Sequence, residues 1–308
     1  MIEQFHRPQT VREALGLKKR FRDQAVFIAG GTYLNSNACT LCPERRRSLA
    51  GLGVDRNERK HGATAMRPLC SSPCALRPAH FISLAGLGLD HVEQTQRAVS
   101  LGALCTLQRL IEDRKVPVPL KAALSQVVSR NIREAATLGG HIAANPPYSD
   151  VIPMLVALEA KLGFSHLGGV KTIPVADHVR RSVADLITKI VIPRPGPGRM
   201  TACRNARASA NALSVVSAAV SVTVSRGAVR DPIIALGGVT SRVVRLIAVE
   251  DALDGKPLPA LDELQALVSR AVRPTADLTG SAAFRRYQAG VVVALALRDA
   301  VGQKRGRP

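Results

Sequence analysis

Apolar and polar positions follow two spacings along this chain, one helical and one alternating, and together they predict a mixed α and β protein. A helix is expected over residues 11–20, ahead of the short β-prone run Ala25-Val26-Phe27-Ile28. Further on, the pattern places a strand at 98–101, a helix after Thr106, another near 120–129 and a helix over 151–158. Residues 187–192 read as a strand that ends this region or bridges to the next, because the breaker-rich Pro193-Arg194-Pro195-Gly196-Pro197-Gly198 follows. Beyond that linker, residues 212–224 carry Val and Ser in rough alternation, as a half-buried strand does. Residues 289–300 are rich in Ala, Leu and Val and continue a helix that begins with Phe284-Arg285-Arg286-Tyr287. Both stretches fall short of the roughly 18 apolar residues that a membrane span needs, so both are expected in a core.

Two glycine pairs interrupt the pattern. Ala29-Gly30-Gly31-Thr32 follows the run that ends at Ile28, and Thr137-Leu138-Gly139-Gly140 follows residues 131–136. Glycine permits positive φ and close backbone approach, so successive N–H groups at such turns can converge on phosphate oxygens. Two such pairs suit the jaws of one diphosphate clamp, and hence a dinucleotide. Neither fits G-x-G-x-x-G or a P-loop, which leaves a Rossmann or nucleotide-triphosphatase reading without support. A tight turn without a ligand is the other meaning of each pair.

The text around both pairs carries a resemblance. Ala29-Gly30-Gly31-Thr32-Tyr33-Leu34 is similar to A-G-G-T-D-L, and Leu101-Gly102-Ala103-Leu104-Cys105-Thr106-Leu107 to I-G-A-x-x-T-L. Ala136-Thr137-Leu138-Gly139-Gly140-His141-Ile142, continued by residues 147–158, resembles A-T-I-G-G-N-I followed by S-P-x-S-D-x-x-P-x-L-x-A-L. These are the motifs of the FAD-binding middle subunit of molybdenum hydroxylases of the xanthine dehydrogenase and carbon monoxide dehydrogenase type. The resemblance covers nearly the whole chain, and its start is most similar to accessory flavoproteins of selenate-reductase or purine-hydroxylase systems.

That resemblance implies an α+β fold: a PCMH-type (vanillyl-alcohol-oxidase-like) two-lobed FAD-binding domain over 1–176, then a smaller α+β C-terminal domain over 195–302 and a basic tail at 303–308. It implies FAD held by Ile28, Ala29, Gly30, Gly31, Thr32, Tyr33 and Leu34, and by Thr137, Leu138, Gly139, Gly140 and His141. The Asp150 carboxylate would accept hydrogen bonds from the ribityl chain, while capping the helix over 151–158 is a role it could hold at the same time. Substrate would react at a molybdenum centre on a large molybdopterin-binding partner, electrons would cross a small [2Fe–2S] partner, and FAD would exchange them with NAD or another acceptor. No acid–base triad is required, and the seven histidines form none. Three positions depart from the motifs: Tyr33 stands for the usual Asp, His141 for Asn, and Asn205 roughly where a Lys is common.

Between the first pair and Phe81 the chain is some 30 or more residues longer than the family pattern, with an atypical insert at about 36–78. Ser48-Leu49-Ala50-Gly51-Leu52-Gly53-Val54-Asp55 nearly repeats Ser83-Leu84-Ala85-Gly86-Leu87-Gly88-Leu89-Asp90, as a local duplication would, and the second copy is in step with the downstream pattern. Cys39, Cys42, Cys70 and Cys74 lie in the insert at spacings that zinc or an iron–sulfur cluster can use, although incidental thiols fit as well. Cys105 and Cys203 sit in apolar settings and are expected to be packed.

A net charge of +20 would suit nucleic acid, but the Lys and Arg are scattered and aromatic residues make up only 3%, too few for a stacking surface. An acidic partner subunit is one expected counterpart for part of the excess. The N-terminus lacks an apolar targeting core, so neither membrane nor nucleic acid is expected as a partner and the expected location is cytoplasmic. Two other classes stay open: a scaffold subunit that has lost FAD, and a metal-binding or nucleic-acid-binding adaptor built on the cysteine insert and the positive charge.

Overall fold

A computed structural model describes residues 4–32, 79–127, 129–181, 186–209, 212–277 and 279–302. Tyr33, Leu34 and all four cysteines of the insert fall outside the described residues. The chain forms two compact units, Met1–Leu87 and Gly88–Pro308.

In the first unit, strands β1 (Gln4–His6), β2 (Ala25–Ile28) and β3 (His80–Ser83) make a parallel sheet in the order β1-β3-β2. Helix α1 (Val11–Phe21) crosses from β1 to β2. Its start is fixed reciprocally: the Thr10 hydroxyl accepts the Glu13 N–H, and the Glu13 carboxylate accepts the Gln9 N–H. Ala14, Leu17 and Phe21 share one helical face and pack with Ala25, Phe27 and Ile82. The expected helix and strand are therefore both present, the helix one residue longer.

The second unit holds two antiparallel sheets. One has the order β4 (Val92–Gln94), β5 (Ala98–Gly102), β8 (Leu186–Pro193), β6 (Lys161–His166), β7 (Gly169–Pro174). The other runs β12 (Val244–Arg245), β11 (Ala228–Gly237), β10 (Ser214–Ser225), β9 (Arg199–Arg207). The helices are α2 (Leu107–Glu112), α3 (Val118–Ser125), α4 (Arg130–Ala135), α5 (Leu138–Ala144), α6 (Val151–Ala157), α7 (Val175–Arg181), α8 (Ile247–Leu253), α9 (Leu261–Ala271) and α10 (Ala282–Gly302). The helix expected near 120–129 is present but runs earlier, over Val118–Ser125. Pro117 and Pro119 set the start of α3 early, and the Gln126 and Val127 N–H groups tighten onto the Ala123 and Leu124 carbonyls, which ends it.

Strand β10 corrects a second expectation, because it is buried on both faces rather than half-buried. Its alternation is real but divides two cores. Val216, Ala218, Val220 and Val222 pack with α9 and α10, whereas Ala219 faces the core that contains α6 and the first sheet of this unit. The serines that looked solvent-facing are satisfied inside: the Ser217 hydroxyl donates to the Ser149 carbonyl, and Ser221 pairs with the Thr201 hydroxyl. Small hydroxyls let α6 approach this sheet closely, with Met154 and Leu155 fully buried.

Candidate functional site

The first glycine pair sits at the carboxyl end of β2, in the parallel sheet. Parallel α/β sheets take ligands at this edge, where strand-exit loops leave backbone groups unpaired. Ile28 gives its carbonyl to the Leu84 N–H, which ties the exit of β2 to the exit of β3. Gly31 turns at φ +68°, and Gly86 on the neighbouring exit at φ +87°; both values favour glycine over residues with a Cβ. Ile28, Ala29, Gly30, Gly31 and Thr32 thus lie together at this strand exit, with the turn made at the glycine pair. The echoed segment at 83–90 adds Gly86 to that edge. The two glycines that the segment carries are the local signal of it.

The second pair is built differently, and the expected cradle of free amides is corrected here. Thr137 caps α5, its hydroxyl accepting the Gly140 N–H. The Leu138 N–H goes to the Cys105 carbonyl, the Gly139 N–H to the Ala103 carbonyl, and the His141 N–H to the Thr137 carbonyl. All four amides therefore have protein acceptors before any ligand arrives. Gly139 is glycine for packing: a Cβ there would lie 2.6 Å from the Ala103 Cβ and 2.8 Å from its carbonyl oxygen. Gly140 is exposed, and a Cβ on it would meet only the Thr137 hydroxyl, at 2.8 Å. What this segment offers a cofactor is a smooth, side-chain-free surface at Gly140 rather than a set of donors.

Ser149 is a residue that sequence reasoning missed. Its hydroxyl oxygen accepts the Val151 and Ile152 N–H groups, so Ser149, not Asp150, supplies the side-chain cap of α6. With both lone pairs so used, the hydroxyl proton has one direction left, and it donates to Nε2 of His141 at 2.7 Å. His141 is consequently a neutral imidazole with its proton on Nδ1. Desolvation agrees, holding its pKa down to about 4. The local signal for this cap was a serine two and three residues before the first helical N–H groups.

Asp150 points the other way, into the second sheet. Its Oδ1 accepts from Asn205 at 3.0 Å and from the Ser214 hydroxyl at 2.7 Å, while Oδ2 accepts from Arg207 at 2.8 Å and again from Ser214. Arg207 also donates to the Gln126 carbonyl, which ties α3 into the same cluster. Burial pushes the Asp150 carboxyl up, and Ser214, Asn205 and Arg207 hold it down. The ion pair is almost fully enclosed, with side chains 11% and 10% exposed. A carboxylate has about four acceptor positions, and these partners occupy them.

No group of three or more His, Cys, Asp or Glu side chains suited to a metal ion occurs among the described residues. No helix among them is long and apolar enough to cross a membrane. Cys105 is buried with its thiol pKa pushed up by desolvation, and Cys203 is partly buried and shifted the same way, as packed thiols are. A cavity of about 380 Å³ bordered by Pro117, Leu158, Pro193 and Arg199 takes none of its lining from Thr137–His141 or Asp150.

A family model described as FAD binding domain in molybdopterin dehydrogenase matches residues 61–195, and one described as CO dehydrogenase flavoprotein C-terminal domain matches 201–300. The first glycine pair lies ahead of the matched residues. The Escherichia coli K12 protein YgfM is 36% identical over 96% of this chain and 95% of its own length. The carbon monoxide dehydrogenase medium chain of Afipia carboxidovorans is 27% identical over 63% of this chain and 68% of its length. A chain of the solved carbon monoxide dehydrogenase from Hydrogenophaga pseudoflava superposes with a TM-score of 0.78 at 24% identity, covering 97% of both chains, and so shares the two-lobed PCMH-type fold. The chain therefore belongs to the FAD-binding medium subunits of the molybdenum hydroxylases, with FAD as its cofactor.

Proposed function

We propose that this chain is the flavin-bearing electron-transfer subunit of a molybdopterin-dependent oxidoreductase, passing electrons between a [2Fe–2S] partner and NAD or another acceptor. The observation that carries the reading is the turn at Ile28–Thr32: a bend through the glycine pair Gly30-Gly31, with Gly31 at φ +68°, at the carboxyl edge of a parallel sheet. FAD, when bound, supplies the electron exchange that no side chain here performs.

The chain's own residues hold and orient that group. Ala29 to Thr32 offer backbone to the diphosphate, continued by Tyr33 and Leu34. Thr137 to His141 contribute through the bare surface at Gly140. Asp150 acts as a positioning residue, because its acceptor sites are filled by Asn205, Ser214 and Arg207 and it anchors the start of α6 to β9 and β10. His141, kept neutral and hydrogen-bonded to Ser149, adds no charge beside the flavin-binding segment. We take 1–176 as the FAD-binding domain and 195–302 as the C-terminal one.

The saturated amides of Leu138–His141 favour one competing reading, a subunit that keeps the fold without flavin. Flavin released from the purified chain decides between them. About one FAD per chain supports electron transfer; a folded, colourless chain that refuses added FAD supports the scaffold. Electron transfer itself is tested in the assembled complex, where reduction of the flavin by substrate should require both partners.

A further inference from the structure

The cavity of about 380 Å³ lies where β8 passes into β9, and it borders none of the residues assigned to flavin. Arg199 and Arg207 stand at opposite ends of β9, roughly 26 Å apart at about 3.3 Å per residue, so the cavity is remote from the Asp150 cluster. Pro117, Pro119, Pro193 and Pro195 make much of its wall, with Leu158, Ile192 and Met200. Proline has a fixed φ and no backbone N–H, so this wall keeps its shape and asks for no hydrogen bond. A preformed apolar wall lowers the cost of binding a small molecule.

One charge interrupts it. Among the described residues Arg199 is the sole charged residue of the lining, and its side chain is only 13% exposed. Its Nη1 donates to the Asp231 carbonyl at 3.1 Å, the one hydrogen bond that this guanidinium makes among the described residues. The Glu159 carboxylate comes no nearer to Nη2 than 3.9 Å, too far for a hydrogen bond, and is 60% exposed. Glu159 and Asp231 both hold the left-handed backbone region without being glycine, at φ +54° and +47°. Two uncommon conformations thus converge on one guanidinium, and strain of this kind gathers at ligand clamps.

We propose that this cavity binds a small monocarboxylate with an apolar body, its carboxylate on the Arg199 guanidinium and its body against the proline wall. The site goes beyond the electron-transfer reading and does not rest on it. Charge and shape select the class. A neutral apolar molecule would strip water from Arg199 and leave its donors unpaired, and a cation would meet like charge. A phosphate dianion or a dicarboxylate would set its second charge against hydrocarbon, since no other cation borders the cavity among the described residues. A single planar carboxylate matches the guanidinium fork, and Glu159 is its built-in competitor.

The test is calorimetric titration of the purified full chain with sodium octanoate and sodium benzoate, and with octanol and benzyl alcohol as their uncharged counterparts. At least one acid should saturate at one per chain, and its alcohol should bind at least about tenfold more weakly. Octanoate alone identifies a flexible aliphatic acid and benzoate alone a flat aromatic one; either result supports the site. Arg199→Gln should weaken the acid at least about tenfold, whereas Glu159→Gln, which removes the competing carboxylate, should tighten it. Should Arg199→Gln fail to fold, Leu158→Trp fills the cavity with both charges in place and should abolish binding. Absence of saturable binding by either acid, alcohols that bind as well as acids, or full affinity in Arg199→Gln or Leu158→Trp overturns the proposal. The flavin spectrum should stay unchanged throughout, and flavin displaced by the acid would overturn it in favour of binding at the flavin-holding segments.

Discussion

At the first glycine pair the backbone turns through φ +68° at Gly31, whereas at the second the backbone is ordinary helix and Gly139 is wedged against Ala103. The two segments look alike as text, a threonine and two glycines after an apolar run. In one, glycine answers a conformational need, and in the other a steric one. Only the first turns through the left-handed region, while the second uses its amides to hold α5 against the Ala103–Cys105 loop. A Gly-Gly-Thr or Thr-x-Gly-Gly motif therefore reports close backbone approach, and the surroundings decide whether the approaching group is a ligand or the protein itself.

The largest expected effect lies beside the second segment. Removing the Asp150 carboxylate leaves the enclosed Arg207 guanidinium without its ion-pair partner and strips an acceptor from Ser214 and Asn205. Asp150→Ala should cost about 3–5 kcal/mol, as breaking one side of a buried pair does. Denaturant unfolding measures it. A loss under about 1 kcal/mol, together with a weakened flavin, would show instead that Asp150 faces the cofactor.

Next is the pH dependence set by His141. Its pKa falls from an ordinary 6.5 to about 4 in the folded chain, so the unfolded chain binds the extra proton between those values. The stabilisation is complete above pH 6.5 and is lost as pH falls toward 4, by up to about 3 kcal/mol. The raised Asp150 pKa acts with the opposite sign, because a proton taken up by the folded state favours folding. Only the difference between wild type and His141→Asn isolates the histidine. Asn keeps an acceptor for the Ser149 hydroxyl and does not titrate, so that difference should grow between pH 6.5 and 4. Parallel stability curves would refute a neutral, enclosed imidazole.

How far the sequence anticipated these features depended on how local each one was. Helix α1, strands β2, β5 and β8 and the closing helix α10 were all legible, because spacing and caps within a few residues determine them. The position of Asp150 was legible as well, but its partners Asn205, Arg207 and Ser214 stand 55 to 64 residues away, where no local pattern points. Burial of β10 on both faces was hidden because its serines find partners at Ser149, just ahead of α6, and on β9, which only the fold brings near. The amides of the second glycine pair were misjudged for the same reason: their acceptors at Ala103 and Cys105 belong to another loop. Hydrophobic periodicity reveals which residues are inside, and says little about which polar groups will meet there.

The smallest and sharpest prediction crosses the two glycines. At Gly139 the obstacle is space, with the Ala103 Cβ and carbonyl within 2.8 Å of any new Cβ, so cost should rise with side-chain size. Gly139→Ala should lose about 1–3 kcal/mol, Gly139→Asn more, and Ala103→Gly should recover part of the loss. At Gly31 the obstacle is the backbone angle, which asparagine tolerates better than alanine because its short polar side chain bonds locally in the left-handed region. Gly31→Ala should lose about 1 kcal/mol and Gly31→Asn less, with flavin retention falling in both if the turn holds the diphosphate. The order of Ala and Asn thus reverses between the two sites. Thermal unfolding of the four variants reads that order directly, and the same order at both positions would mean that the two glycine pairs do one job after all.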